Sequence, residues 1–388
     1  MPLPATERIL LGPGPSLIPP RVMRALAAPV LSHLDPDFVP LLDDVRMSLQ
    51  RLFRADGKSL TIATSGTGTS AMEAAVANVV SEGMRAVVIV TGYFGDRLAQ
   101  IIERYGARVR RVDVEWGRAV DPQRLRDELS RDGADVVGIV HAETSTGVRN
   151  PVKELAAIAR EKGSLTIVDT VTSLGGHEVD LAGWGVDVAY SCTQKCIGAP
   201  SGLAPLAISG AARERLVKCR SFYLDVRLLE DYWVGRKYHH TMSTSLVYSL
   251  REALLMVEEE GLAARLARHE RHHHAFAAGI DAMGLSLLPP QNERLWTLNT
   301  VRVPAGVDEA AVRKTLLTTY NIEVGAGLGP LAGKIWRVGL MGASSTPQTV
   351  LQFLAALEGA LSMNGHAVPE GAGVAAAGAA LRPVMAGA

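Results

Sequence analysis

The sequence predicts an α/β protein, with one large domain built on a mostly parallel sheet followed by a small α+β domain. Three observations predict it. Between about residues 60 and 210, short apolar runs alternate with amphipathic helical patterns. Those apolar runs are continuous rather than alternating, as strands buried on both faces are. Beyond one long helical stretch, the pattern changes to two strands and two helices in a shorter segment.

The elements follow in order. Leu60 to Ala63 is an apolar run, and Ala71 to Val80 reads as a helix. Arg85 to Thr91 is a buried strand and Asp96 to Tyr105 a helix. Ala107 to Val114 and Ala134 to His141 are strands, with helices at Asp121 to Arg131 and Val152 to Lys162. Leu165 to Asp169 and Val186 to Ser191 complete the strands of the large domain. Ser243 to Met283 carries a helical pattern with few breakers and reads as one long helix. Thr297 to Val303 and Ile335 to Leu340 are strands, Asp308 to Tyr320 and Pro347 to Met363 helices. The Ala- and Gly-rich stretch Pro369 to Ala388 is expected to order poorly.

Composition narrows the function. The 388 residues carry a formal net charge of 0, so a general nucleic-acid binder is not expected. The three cysteines, Cys192, Cys196 and Cys219, are odd in number and suit a reduced, cytoplasmic protein. Met1 to Ala5 shows no signal-peptide pattern, and Val384 to Ala388 no recognised targeting signal. No apolar stretch of about 18 residues is present to span a membrane.

The chemistry-bearing residues gather near predicted strand ends, where ligands sit in such folds. The chain has 8 lysines against 32 arginines, and Lys195 stands apart by following the apolar run Val186 to Tyr190. Asp169 ends the preceding apolar run. A lysine and an aspartate so placed are what pyridoxal 5'-phosphate (PLP) needs, one for its aldehyde and one for its ring nitrogen. A surface lysine and a strand-capping aspartate explain the same spacing. Ser65-Gly66-Thr67-Gly68-Thr69-Ser70 precedes a helix, so its small residues and free N–H groups suit a phosphate or a plain helix cap. The stretch also fits a loose dinucleotide fingerprint. Phe94, between glycines, can stack on a flat ring or fill the core. Arg337 is a charge inside an apolar strand, suited to a substrate carboxylate or to an internal ion pair. His269-Glu270-Arg271-His272-His273 matches a zinc pattern, with Glu293 a conceivable third ligand, but so short a pattern arises easily by chance and the solvated face of a charged helix is the plainer reading.

Taken in order, Leu10-Leu11-Gly12-Pro13-Gly14-Pro15, Ser65-Gly66-Thr67-Gly68, Glu143-Thr144-Ser145-Thr146-Gly147, Val168-Asp169-Thr170-Val171-Thr172-Ser173, Gln194-Lys195 and Arg337-Val338-Gly339 span nearly the whole chain. As a set they resemble the class V aminotransferases, nearest the alanine–glyoxylate / serine–pyruvate group. The resemblance implies a fold type I PLP-dependent transferase that works as a homodimer with shared active sites. It implies a Schiff-base and proton-carrying role for Lys195 and a ring-nitrogen role for Asp169. It implies that Thr67, Gly68, Thr69 and Gln194 hold the phosphate, joined by Tyr238 and Thr241 from the partner subunit. Thr144 and Val171 would flank the ring, Phe94 stack on it, and Arg337 and Gly14 bind substrate. It leaves no metal role for His269 and His273. The expected organisation is an N-terminal arm (1–20), a large cofactor domain (21–260), a small C-terminal domain (261–366) and a tail (367–388).

The expected activity is transamination from a small L-amino acid, alanine or serine, to glyoxylate or pyruvate by a ping-pong mechanism. Tyr238-His239-His240-Thr241 resembles the alanine–glyoxylate group, and the segment from Pro369 to Ala377 resembles serine–glyoxylate aminotransferases. Pyridoxamine–pyruvate transamination and C–S cleavage by Cys192 or Cys196 are rivals on the same scaffold. A nicotinamide-dependent dehydrogenase is a distant one, since Arg85 to Thr91 ends without the acidic residue that role needs.

Overall fold

The computed structural model describes residues 7–382. Met1 to Ala5 and Val384 to Ala388, read above for targeting signals, lie outside the described residues.

Helix α1 (Val39–Leu52) leads into strand β1 (Leu60–Gly66) and helix α2 (Gly68–Val79). Then come β2 (Arg85–Val90), α3 (Tyr93–Arg104), β3 (Arg108–Asp113), α4 (Pro122–Asp132) and β4 (Val136–Val140). Helix α5 (Val152–Glu161) and strands β5 (Leu165–Asp169), β6 (Val188–Tyr190) and β7 (Gly202–Ile208) complete the layer. The seven strands form one sheet in the order β1-β7-β6-β5-β4-β2-β3. All neighbours are parallel except β7, which runs antiparallel to both β1 and β6. Strands β4 and β5 are buried at every residue, which is why their sequences are unbroken apolar runs. Asp121 caps α4 by accepting from the Gln123 N–H at 2.9 Å.

The expected single helix at Ser243 to Met283 is two helices, α6 (Thr244–Glu260) and α7 (Leu262–Ala282). Gly261 separates them with φ +79°, a left-handed conformation that ends a helix and that glycine adopts without steric cost. The helical periodicity runs through a one-residue break, so the pattern alone conceals it. Strand β7 is also absent from the sequence expectation, although it is apolar at nearly every position.

Beyond α7, β8 (Leu298–Arg302), α8 (Glu309–Thr319), β9 (Gly325–Ala326) and β10 (Ile335–Gly339) build a three-stranded antiparallel sheet, order β8-β10-β9, with its helix. Helix α9 (Pro347–Met363) packs beside it. The buried side chains form two large clusters. One includes Ile62, Val88, Ile139 and Ile167, the other Phe276, Val301, Trp336 and Phe353. The N-terminal segment crosses from one to the other, pairing Ile9–Leu10 in parallel with Ile322–Glu323.

The C-terminal stretch departs from its expected poor order in its described part, while 383–388 lie outside the described residues. Ala372–Leu381 forms helix α10, with Ala377 buried in the second cluster. Small residues permit the approach of two backbones. A Cβ on Gly373 would press on Met283 Sδ at 2.7 Å, and one on Gly279 of α7 would meet the Gly373 carbonyl oxygen at 2.9 Å. Alanine-rich composition therefore serves close helix packing here rather than disorder. Gly279→Val should cost about 1–3 kcal/mol through overpacking. It should also free the C-terminal helix. Thermal unfolding and limited proteolysis would check this; a lower Tm without new cleavage after residue 366 would place the strain elsewhere.

Candidate active site

The site lies at the carboxyl ends of the parallel strands. The turn after β6 carries Gln194 and Lys195, and its backbone is held from two sides. The Ser16 N–H donates to the Gln194 carbonyl at 2.9 Å, and the Ser16 hydroxyl to the Lys195 carbonyl at 2.8 Å. From behind, Arg265 of α7 donates to the Cys196 carbonyl at 2.5 Å and to the Gly175 carbonyl at 2.9 Å. The Lys195 ammonium donates to the Pro13 carbonyl. Gly14 crosses over the same side chain with φ +111°, and a Cβ there would overlap it. Glycine is thus required by conformation and by close approach. Burial lowers the Lys195 pKa, and the Arg337 charge acts in the same direction.

Asp169 ends β5, in register with Val140 on one side and Tyr190 on the other. Its Oδ1 accepts from the Val171 N–H at 2.8 Å. Burial pushes its carboxyl up to about 7, because the charged form has lost water. A cation beside it would reverse that shift.

Asp169 and Lys195 share a cavity of about 160 Å³ with Thr67, Gly68, Thr69, Phe94, Thr144, Val171 and Gln194. The sequence motifs point to all nine of these residues. Met72, Arg97 and Cys192 complete the wall. The N-terminus of α2 opens onto it, and its first N–H groups have no intrahelical partner. A Cβ on Gly68 would press on Val171 at 3.0 Å, so the glycine keeps the wall thin. Among the described residues the buried Gln194 Oε1 has no partner, and a half-turn of the amide would present its N–H groups instead. The Thr144 and Thr172 hydroxyls meet at 2.5 Å.

Glu143 positions two parts of the wall at once. It is fully buried and accepts from the Gly95 N–H at 3.2 Å, the Phe94 N–H at 3.4 Å, the Ser145 N–H at 3.1 Å and the Ser145 hydroxyl at 2.5 Å. Ser145 in turn accepts from the Tyr93 N–H at 2.9 Å. The orphan donors at the start of α3 are thereby satisfied, and a negative group sits at its positive end. Phe94 is fixed as a consequence. The sequence motif held Glu143, but only the fold reveals what its carboxylate grips.

Arg337 projects from β10 and is 7 % exposed. Its Nε donates to the Ala326 carbonyl at 2.7 Å and an Nη to the Thr144 carbonyl at 3.4 Å. Among the described residues it has no carboxylate in ion-pair contact, which removes the internal-ion-pair reading. Burial lowers its pKa to about 10, opposed by the more distant Glu143 and Glu323.

These residues fit pyridoxal phosphate. A buried carboxylate lacks a cation, a lysine is held beside it, a helix N-terminus offers donors for a phosphate, and Phe94 offers a flat face. Two residues from the sequence set are not brought in. Tyr238 is 63 % exposed and Thr241 is exposed, both outside the cavity of a single chain.

The zinc pattern has another use. His269 Nε2 accepts from the Gly342 N–H at 3.0 Å, so its Nδ1 carries the proton donated to the Arg265 carbonyl at 2.8 Å. His273 Nδ1 bonds Asn299 at 2.6 Å, and Glu293 pairs with Arg118 at 3.0 Å. The histidines therefore tie α7 to its neighbours. The two thiols of the C–S cleavage reading are both buried. Burial pushes the Cys192 thiol up to about 12 and the Cys196 thiol up to about 11, far from an activated thiolate.

Comparison with known proteins shows what the chain and its fold are similar to. The family model for class V aminotransferases matches residues 9–338. The chain is 36% identical to the (S)-ureidoglycine–glyoxylate transaminase of Bacillus subtilis, over 95% of this chain and 94% of that protein. The crystal structure of an alanine–glyoxylate aminotransferase from Nostoc sp. superposes with a TM-score of 0.91 at 46% identity, covering 93% of this chain and 97% of the other. That of pyridoxamine–pyruvate aminotransferase from Mesorhizobium loti gives 0.93 at 30% identity, covering 98% of each chain.

Asp169 sets a pH dependence in the cofactor-free protein. Its carboxyl titrates near 7 when folded, but near 3.9 when unfolded. Between those values the folded state holds a proton that the unfolded state has released, so stability falls as pH rises. Asp169→Asn removes the ionisation. It should melt higher than the parent at pH 8 and match it at pH 4, in calorimetry of both cofactor-free proteins. Equal melting at both pH values would contradict the assignment.

Proposed function

The chain belongs to the class V aminotransferases, and from that premise we propose that it moves an amino group from alanine or serine to glyoxylate or pyruvate, on PLP held between Lys195 and Asp169. The observation that carries the reading is Arg337. It is a buried guanidinium that, among the described residues, has carbonyl partners only, next to the wall that contains the lysine. A substrate carboxylate is the partner that a planar fork in such a place suits.

PLP, when bound, supplies an aldehyde that takes the amino group and a ring that draws electron density from the donor Cα. The remaining work belongs to the chain. Asp169 holds a proton on the ring nitrogen. Lys195, whose pKa burial lowers, is the base that takes the Cα proton. Thr67, Gly68, Thr69 and Gln194 bind the phosphate, Phe94 stacks on the ring, and Thr144 and Val171 flank it. Arg337 orients the α-carboxylate, and Gly14 closes the site over the lysine. One carboxylate anchor serves donor and acceptor in turn, so the kinetics are ping-pong.

A homodimer supplies the missing pair. Tyr238 and Thr241 lie on an exposed segment, with Phe222 71 % and Tyr223 46 % exposed. We place them against the partner's phosphate site, two active sites being shared by two subunits. The three free cysteines suit a reducing compartment, here the cytoplasm.

The test is the visible spectrum of the holoprotein. Its cofactor band should bleach with L-alanine or L-serine and return with glyoxylate or pyruvate, and the faster donor identifies the preferred one. A chain that takes up no PLP overturns the reading. Lys195→Ala should abolish turnover in a folded protein, and measurable turnover would sink the lysine's role. Arg337→Gln should lower kcat/KM by about a hundredfold or more for amino acid and oxo acid alike. Steady-state kinetics in both half-reactions would check it, and a loss confined to one would show that the other substrate's carboxylate binds elsewhere.

A further inference from the structure

Arg97 is the charged residue of the cavity wall that the reaction above leaves unused. It follows Phe94 by one helical turn on α3. Its guanidinium carbon lies 5.1 Å from the Phe94 ring centroid and 5.1 Å from that of Tyr93. The two rings meet edge-on, with centroids 5.6 Å apart and planes at 83°. One Nη donates to the Thr69 hydroxyl at 3.1 Å, across to the start of α2. Among the described residues no carboxylate pairs with Arg97. The neighbouring Asp96 is engaged by Arg111 at 2.6 Å.

A cation is thus held on two aromatic faces, pointed at the first turn of α2 and left without a counter-ion. That turn is the phosphate site proposed above. A phosphate monoester carries about −1.5 to −2 charges at neutral pH. Thr67, Gly68, Thr69 and Gln194 are all neutral, and a helix N-terminus contributes about half a positive charge. The local charge balance is incomplete without a full cation. We propose that Arg97 supplies it, by turning the N–H that meets Thr69 onto a phosphate oxygen. Arg97 is then a cofactor-binding residue that makes this site select phosphorylated over unphosphorylated pyridoxal. The inference rests on the cofactor reading of the preceding subsection.

The test compares PLP with pyridoxal on cofactor-free protein, by equilibrium dialysis, for the parent, Arg97→Gln and Arg97→Lys. Arg97→Gln should weaken PLP about tenfold to a hundredfold, as loss of a charge-assisted hydrogen bond does, while changing pyridoxal by no more than about twofold. Arg97→Lys keeps the charge and should retain a phosphate preference above that of the glutamine variant. If PLP and pyridoxal weaken equally in both variants, Arg97 acts only through the Phe94 stack and the proposal fails. It fails also if PLP binding is unchanged in Arg97→Gln, or if the lysine variant shows no more preference than glutamine. A parent chain that binds neither compound overturns the cofactor reading itself, and this proposal with it.

Discussion

The structure is organised around charges buried without mutual neutralisation. Asp169, Lys195, Arg337 and Glu143 all sit in or beside the floor of one cleft, yet none is joined to another in a direct ion pair. An isolated ion in low dielectric is expensive, so each must be compensated by dipoles or by its pKa. Glu143 is compensated by backbone N–H groups at a helix end. Asp169 and Lys195 respond by shifting toward their neutral forms. Arg337 leans on two carbonyls, which satisfy donors without cancelling charge. A scaffold that tolerates this arrangement must be rigid and well packed around it, and the two buried clusters on either side supply that.

Rigidity is concentrated at the lysine turn. Three elements distant in sequence converge there: the N-terminal segment through Ser16, the long helix α7 through Arg265, and the turn at Gly342, where an added Cβ would meet the Cys196 carbonyl oxygen at 3.0 Å. The backbone of Lys195 and Cys196 donates no freedom to the side chain, so the amine can be aimed by its own torsions alone. His269 illustrates how far a local motif can mislead. Its two nitrogens are spent on one N–H and one carbonyl, and burial among Arg265 and Arg268 keeps it neutral, well below the ordinary histidine range. The zinc-like spacing is a by-product of a helix face that ties two parts of the molecule together.

Much of this was legible in the sequence for a physical reason. Central parallel strands are buried on both sides, so β4 and β5 could only be apolar runs, and a polar residue at their ends stands out. Asp169 and Lys195 are visible on that ground, and Arg337 as a charge within a strand. What the sequence conceals are features without a periodic signature. A single glycine breaks the long helix between α6 and α7 without disturbing its pattern. Strand β7 runs against its neighbours, and an apolar run carries no direction. The tail reads as low in complexity, although small residues are what let α10 pack on α7. Arg97 was hidden for another reason. It is one arginine among 32, and only the turn linking it to Phe94, with the fold bringing Thr69 across, distinguishes it.

Arg337 bears on which amines the cleft can accept. An amino-acid donor and a 2-oxo-acid acceptor both present a carboxylate next to the reacting carbon. One buried guanidinium can therefore neutralise its charge in both half-reactions, and the cost of burying it is offset throughout the cycle. A pyridoxamine-type donor has no carboxylate at that place. It would leave Arg337 uncompensated in one half-reaction, with only the Ala326 and Thr144 carbonyls for partners among the described residues. Among the described residues the cavity wall otherwise offers Asp169 as its one acid, and in the proposed site the ring nitrogen takes it. Charge balance over the whole cycle, rather than cavity size, therefore favours an amino acid as the donor.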